Sequence, residues 1–184
     1  ERLEQPLRWR EPRRVFVNSM SDVFHAHFTL GMIRQVFEVM NEAGQHQFQL
    51  LTKRPERALR LAEQIEWTSN IWIGTSIEDE RVVRRADSLR QIPAAIRFIS
   101  AEPLLGSLDS LDLTGIHWVI GGGESGAGFR APKEEWAIGL RDLCQREAVA
   151  FFWKQWGGNR AKSGGRLLDG VEWSEYPEPI RLSG

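Results

Sequence analysis

A lysine closing one apolar run, a glutamate following another and a second lysine ending a third could together perform acid–base or carbonyl chemistry. They are Lys53 in "FQLLTKRPER", Glu102 in "FISAEPLLG" and Lys154 in "FFWKQWGG". A carboxylate at Glu102 can act as a general base or bind a ligand amine. Lys154, deep in an apolar strand, has two readings: an amine that forms a Schiff base, or an ammonium held in an ion pair. Lys53 and Arg54 stand side by side before a helix start and suit an anionic group such as a carboxylate or phosphate, unless one turns inward to an acid such as Glu102. These three residues, Lys53, Glu102 and Lys154, are the candidate catalytic set.

A second group could hold a ligand. In "NSMSDVFH", Asn18, Ser21 and Asp22 can bind hydroxyl or amine groups, or Asp22 can instead make an Asx turn. Thr75 and Ser76 close "NIWIGTS". In "WVIGGGESGAGFR" the glycines Gly122 and Gly123 can admit a ligand to the backbone, with Glu124 and Ser125 offering an acceptor and a hydroxyl. That stretch is neither a dinucleotide fingerprint nor a P-loop, because the G-x-G-x-x-G spacing and the Gly-Lys-Ser/Thr are both missing. His25 and His27 have no evident third ligand, so no metal site is expected. The basic clusters "RWREPRR" and "RVVRRAD" could touch phosphates; for Arg84 and Arg85, beside Glu78, Asp79 and Glu80, a solvated helix face is the expectation.

Composition narrows the classes. The chain has 184 residues, 41% hydrophobic and 27% charged, with a formal net charge of −1, which suits one globular domain and argues against a dedicated nucleic-acid coat. One cysteine, Cys144, excludes a disulfide framework and a cysteine-based cluster built from these residues alone. No apolar run approaches the roughly 20 residues of a membrane span, so a cytoplasmic protein is expected. The opening "ERLEQPLRWREPRR" lacks a methionine and reads like the interior of a longer protein, and the eight tryptophans are expected mostly in the core.

The elements that must carry these residues are strands and helices in alternation. Six continuously apolar runs, at 14–19, 48–52, 70–76, 96–101, 117–122 and 150–155, read as strands buried on both faces of a parallel sheet. Amphipathic patterns between them predict helices: Leu30, Ile33, Phe37 and Met40 before Gly44; Ala58, Leu59, Ala62 and Ile65 after Pro55; Val82, Ala86, Leu89 and Ile92; and Trp136, Leu140, Leu143 and Cys144. The stretch from Ser100 to Trp118 has no helical period and is expected as a loop. Such alternation means an α/β fold, and polar residues after nearly every strand favour a partial (β/α) TIM-type barrel with about six strands, whose C-terminal mouth gathers the site. Residues 1–157 form this partial barrel, and 158–184 a loop-rich tail punctuated by glycine and proline.

Taken in order, "PLRWREPRRVFVNSMSDVFH", "FQLLTKRPER", "IWIGTSIED", "RFISAEPLLG", "WVIGGGESG" and "FFWKQWG" resemble the phage-associated family called gp thirty-seven/gp sixty-eight, a domain of unknown function found in phages and bacteria. The match covers nearly the whole chain. That family is similar to radical S-adenosylmethionine enzymes, whose partial barrels hold a 4Fe–4S cluster on three cysteines. The resemblance implies reductive cleavage of S-adenosylmethionine to a 5′-deoxyadenosyl radical, shielded by the barrel. It places Asn18, Ser21, Thr75, Ser76, Glu124 and Ser125, with Asp22, Gly122 and Gly123 beside them, near the cofactor, and Lys53, Glu102 and Lys154 near an unknown substrate, nucleic acid or peptide. The family's upstream C-x6-C-x2-C-Y segment is absent here, and Cys144 cannot replace it, so the fragment alone is expected to be inactive. The glycine–glycine–glutamate element of radical S-adenosylmethionine barrels follows the second strand, whereas Gly122–Glu124 follows a late one. Two further readings stand beside this one: a cluster-free interaction module of a phage or mobile-element system, with a partner protein encoded nearby, and a lyase or aldolase using Lys154 with Glu102.

Overall fold

A computed structural model describes residues 3–17, 21–160 and 163–178. Six parallel strands lie in chain order: β1 (Arg14–Val17), β2 (Gln47–Thr52), β3 (Ile71–Ser76), β4 (Ile96–Ala101), β5 (Trp118–Gly121) and β6 (Ala150–Trp153). The helices are α1 (Leu30–Glu42), α2 (Pro55–Leu61), α3 (Arg85–Leu89) and α4 (Glu134–Arg146). An order that never reverses, combined with right-handed crossovers, sends every connection to the same face of the sheet. The sheet curls into a half-barrel with the helices outside. No helix among the described residues is long and apolar enough to cross a membrane.

Two cores follow from the two-residue period of the strands. Toward the helices point Phe48, Leu50, Ile71, Ile73, Ile99, Val119, Phe151 and Trp153, packed with Ile33, Phe37 and Met40 of α1 and Leu140 and Cys144 of α4. Thr29 caps α1 by accepting from the Met32 N–H at 3.3 Å. The loop between β4 and β5 has no helix, as expected, but it does a helix's work: Leu104, Leu108, Leu111, Leu113 and Ile116 are all buried in the same core. On the concave face, Trp72, Ile96, Phe98 and Trp118 form a second cluster. The Phe98 ring lies directly over Gly74, where an added Cβ would come within 2.3 Å of it.

Three sequence expectations change. Burial on both faces holds for β3 to β5, whereas β1 and β2 alternate between covered and open positions, because the aromatic cluster fills the concavity only over the middle strands. The helix expected around Val82 to Ile92 breaks into a single 3₁₀ turn at Glu80–Val82 and the short α3. Asp79 caps that turn by accepting from the Arg81 N–H, and Glu80 reaches across to Ser110, so polar anchors override the helical period. The tail carries a hairpin, β7 (Leu167–Leu168) and β8 (Val171–Glu172), and then pairs with β6. The Trp153 N–H donates to the Trp173 carbonyl, the Glu175 N–H donates to the Phe151 carbonyl, and Ser174 bridges Phe152 antiparallel. Tyr176 then packs on Trp118 with ring centroids 4.8 Å apart.

Replacing Gly74 by alanine should lower the unfolding free energy in urea by about 1–3 kcal/mol, the usual cost of overpacking. In a Phe98→Ala background, which empties the space above residue 74, that added cost should fall below about 0.5 kcal/mol. Equal costs in both backgrounds would show that the ring does not exclude the Cβ.

Candidate functional site

The alternation that separates the two cores continues past the ends of the strands. On the concave face, Leu51 is followed by Lys53, Ser76 by Glu78, Ser100 by Glu102, Gly122 by Glu124 and Phe152 by Lys154. The pairing of Ser76 with Ser100 and of Ala101 with Gly121 sets neighbouring strands level. Five charged residues therefore ring the C-terminal end of the half-barrel, where barrel enzymes carry their sites.

The ring is built from ion pairs. Lys53 Nζ lies 2.8 Å from Glu78, which also receives Arg85 at 3.2 Å. Lys154 Nζ lies 3.0 Å from Glu102. These last two residues follow directly on β4 and β6, strands roughly 9–10 Å apart across β5. Gly122 lies between them on the intervening strand, and a Cβ there would sit 3.4 Å from the Glu102 carboxyl carbon. That is ordinary van der Waals contact, so the pair meets over Gly122 without requiring glycine there. Glu124 is held by Arg130, which donates from Nε at 2.9 Å, from Nη2 at 2.8 Å and from its backbone N–H at 2.9 Å. Those hydrogen bonds, first from the side chain and then from the backbone, push the Glu124 carboxyl from 4.5 to about 2.

The acids lie below and the bases above. The side chains of Glu78, Glu102 and Glu124 are 14, 21 and 30% exposed, against 60, 54 and 62% for Lys53, Lys154 and Arg130. Lys53, Glu78, Glu124 and Arg130 line a cleft of ≈ 630 Å³ whose wall includes Pro103 and Leu105. Beneath the ring, Ser76 and Ser100 face each other in register on the concave side, 3 and 6% exposed. Neither hydroxyl makes a hydrogen bond to another described residue. The buried side-chain atoms without a partner among the described residues are Trp153 Nε1 and Arg166 Nε, so the two serine hydroxyls still reach solvent; a water-accessible hydroxyl pair below charged groups that can exchange partners suits a polar, charged ligand.

Other expected site residues have places of their own. Asp22 accepts from the Phe24 N–H at 2.9 Å, from Thr52 Oγ1 at 2.8 Å, from the Lys53 N–H at 3.2 Å and from Arg54 Nη1 at 2.8 Å. It forms the Asx turn and fastens the loop after β1 to the end of β2. Thr75 Oγ1 donates to the Thr52 carbonyl. Ser21 is exposed, and Asn18 lies outside the described residues. Ser125 Oγ accepts from Gln155 Nε2 at 3.0 Å. The space at Gly123 is filled by protein: a Cβ there would lie 1.9 Å from the Trp156 carbonyl oxygen, and one at Gly157 would lie 2.0 Å from that of Glu124. The loops after β5 and β6 thus run backbone against backbone, with Gly123 N–H donating to Gln155 and Gly158 N–H donating to Glu124. Arg85 departs from the expected solvated face, since it donates to the Ser76 carbonyl at 2.7 Å as well as to Glu78.

Glu78 joins the ring without having been singled out as a site residue, hidden in the charged run "EDER". Its signal was its position two residues beyond Ser76. His25 and His27 touch edge to face at 4.5 Å, and among the described residues no group of three potential ligands could hold a metal. Cys144 is buried in α4, its thiol pushed up to about 12 chiefly by burial. The described residues therefore do not fit a 4Fe–4S cluster.

A half-barrel of parallel strands whose outer ends carry a paired ring of charge is the class these features define. The chain belongs to the family described as Protein of unknown function (DUF5131), whose family model matches residues 1–177. No curated protein and no solved structure matches it.

The Glu124 carboxyl, followed by carbon-13 NMR, should titrate with a midpoint near 2, and Arg130→Gln should return it toward 4.5. Because the folded value is depressed, the clasp's contribution is complete above pH 4.5 and is lost as pH falls toward 2. A midpoint unmoved by Arg130→Gln would show that another group sets it.

Proposed function

We propose that the mouth binds S-adenosylmethionine and belongs to a radical S-adenosylmethionine enzyme of TIM-barrel type, a cytoplasmic, phage-associated protein of the gp thirty-seven/gp sixty-eight kind. The observation that carries the reading is the pair of unbonded Ser76 and Ser100 hydroxyls beneath the Lys53–Glu78 and Glu102–Lys154 ion pairs. The ligand combines an ammonium, a carboxylate, a sulfonium and a ribose diol. A ring of alternating sign suits such a molecule: its ammonium or sulfonium can replace a lysine at Glu78 or Glu102, and its carboxylate can take the lysine so released. The two serines offer donors and acceptors to the diol. Surface ion pairs hold their partners weakly, so this exchange costs little.

When bound and reductively cleaved, the cofactor supplies hydrogen-atom abstraction. The cluster that drives cleavage has no ligands among the described residues, so the reading requires cysteines supplied from outside them. What this chain's residues contribute is binding and orientation. Glu102 and Glu78 hold the ammonium or sulfonium, Lys53 and Lys154 hold the carboxylate, and the apolar Phe98–Trp118 floor excludes water from below.

Isothermal titration of the 184-residue chain with S-adenosylmethionine should give a saturable heat, and Glu102→Gln or Ser100→Ala should each weaken binding about tenfold, the loss expected for a hydrogen bond to a charged group. Absence of saturable heat, or affinities unchanged in both variants, would overturn the reading.

A further inference from the structure

In contrast to the paired ring at the mouth, the opposite end of the sheet carries cations that no carboxylate of the described residues engages. Arg8, Arg10, Arg13 and Arg14 fall within seven residues and are all exposed. No ion pair joins any of them to another described residue, although Glu4 and Glu11 share the segment. Lys53, Arg54, Arg81, Arg85, Arg130 and Lys154, around the mouth, are all ion-paired.

Two of these arginines are already arranged. The Arg13 guanidinium stacks on the Trp9 ring, 4.8 Å from its centroid, and that of Arg14 stacks on Tyr176 at 4.6 Å. The rings are themselves fixed. Trp9 packs edge-on against buried His46 at 5.5 Å, and the His46 ring accepts from the Arg13 N–H at 3.1 Å. Tyr176 rests on Trp118 and Phe152. A guanidinium held over a ring loses less side-chain freedom when it binds an oxygen acceptor. The backbone of the segment is held too, because the Gln47 N–H donates to the Arg13 carbonyl.

We propose that these arginines, which flank the start of β1 on both faces of the sheet, Arg13 over Trp9 on the helix side and Arg14 over Tyr176 on the concave side, bind the phosphodiester backbone of a nucleic acid laid across that end of the sheet, away from the mouth. Seven residues reach at most about 23 Å, enough to follow several successive phosphates. The planar fork of arginine matches the paired oxygens of a phosphodiester, and interleaved aromatic rings are the usual companions of such contacts. The surface stands independently of what the mouth binds, and it would bring a polymeric substrate or template to the protein.

Fluorescence anisotropy with labelled single-stranded and duplex DNA of about 20 nucleotides, at about 50 and 200 mM salt, tests the surface. The probe should bind the 184-residue chain, and Arg8→Gln with Arg10→Gln should weaken it about tenfold and reduce the salt slope by about 1.4 for the single strand. Neither side chain makes a hydrogen bond, ion pair or ring contact with another described residue, so the double variant should keep the wild-type circular dichroism. Arg60→Gln with Arg84→Gln, two exposed arginines elsewhere, should leave binding unchanged. Binding of neither DNA, equal losses in both double variants, or arginine-dependent binding to phosphatidylglycerol vesicles without DNA binding would each overturn the proposal.

Discussion

On a parallel strand a side chain returns to the same face every second residue, and the rest of this structure depends on that period being kept beyond the hydrogen-bonded ends. Residues 96 and 98 fill the concave floor, residue 100 places a hydroxyl above it, and residue 102 places a carboxylate above that. The same count on β3 gives Trp72, Gly74, Ser76 and Glu78. One interval thus converts a hydrophobic core into a layer of hydroxyls and then into a ring of charge, with no change of element.

Glycine makes the floor of that ordering possible. Gly74 lets the Phe98 ring lie on β3. Gly123 and Gly157 act differently: each lies where a side chain would strike a carbonyl of the opposite loop, so the loops after β5 and β6 form a continuous backbone extension of the sheet. The Glu124–Arg130 clasp closes the other side of that extension.

Much of this was legible in the residues because continuous apolar runs between turn signals define buried parallel strands well. Lys53, Glu102 and Lys154 stood out because each follows such a run directly. Glu78 did not, because "EDERVVRRAD" also satisfies a helical period and its charges resemble a solvated face; only the anchoring of Asp79, Glu80 and Arg85 to other parts of the fold breaks that period. The role of Gly123 was hidden for a related reason. The atom that demands glycine there belongs to Trp156, 33 positions away, and local pattern carries no trace of it. The tail strand escaped notice because Trp173 to Glu175 is too short to show a period and owes its conformation to the edge of β6.

That tail pairing fixes a temporal order. The outer edge of β6 stays unsatisfied until residues 173–175 have been synthesised and have left the ribosome, and Tyr176 then joins Arg14 of β1 to Trp118 of β5 and Phe152 of β6. A nascent chain with all six strands complete therefore still carries an open edge and an uncovered aromatic floor. An open strand edge is a pairing hazard for a nascent chain, and the tail removes the one at β6 while β1 remains at the other edge of the sheet.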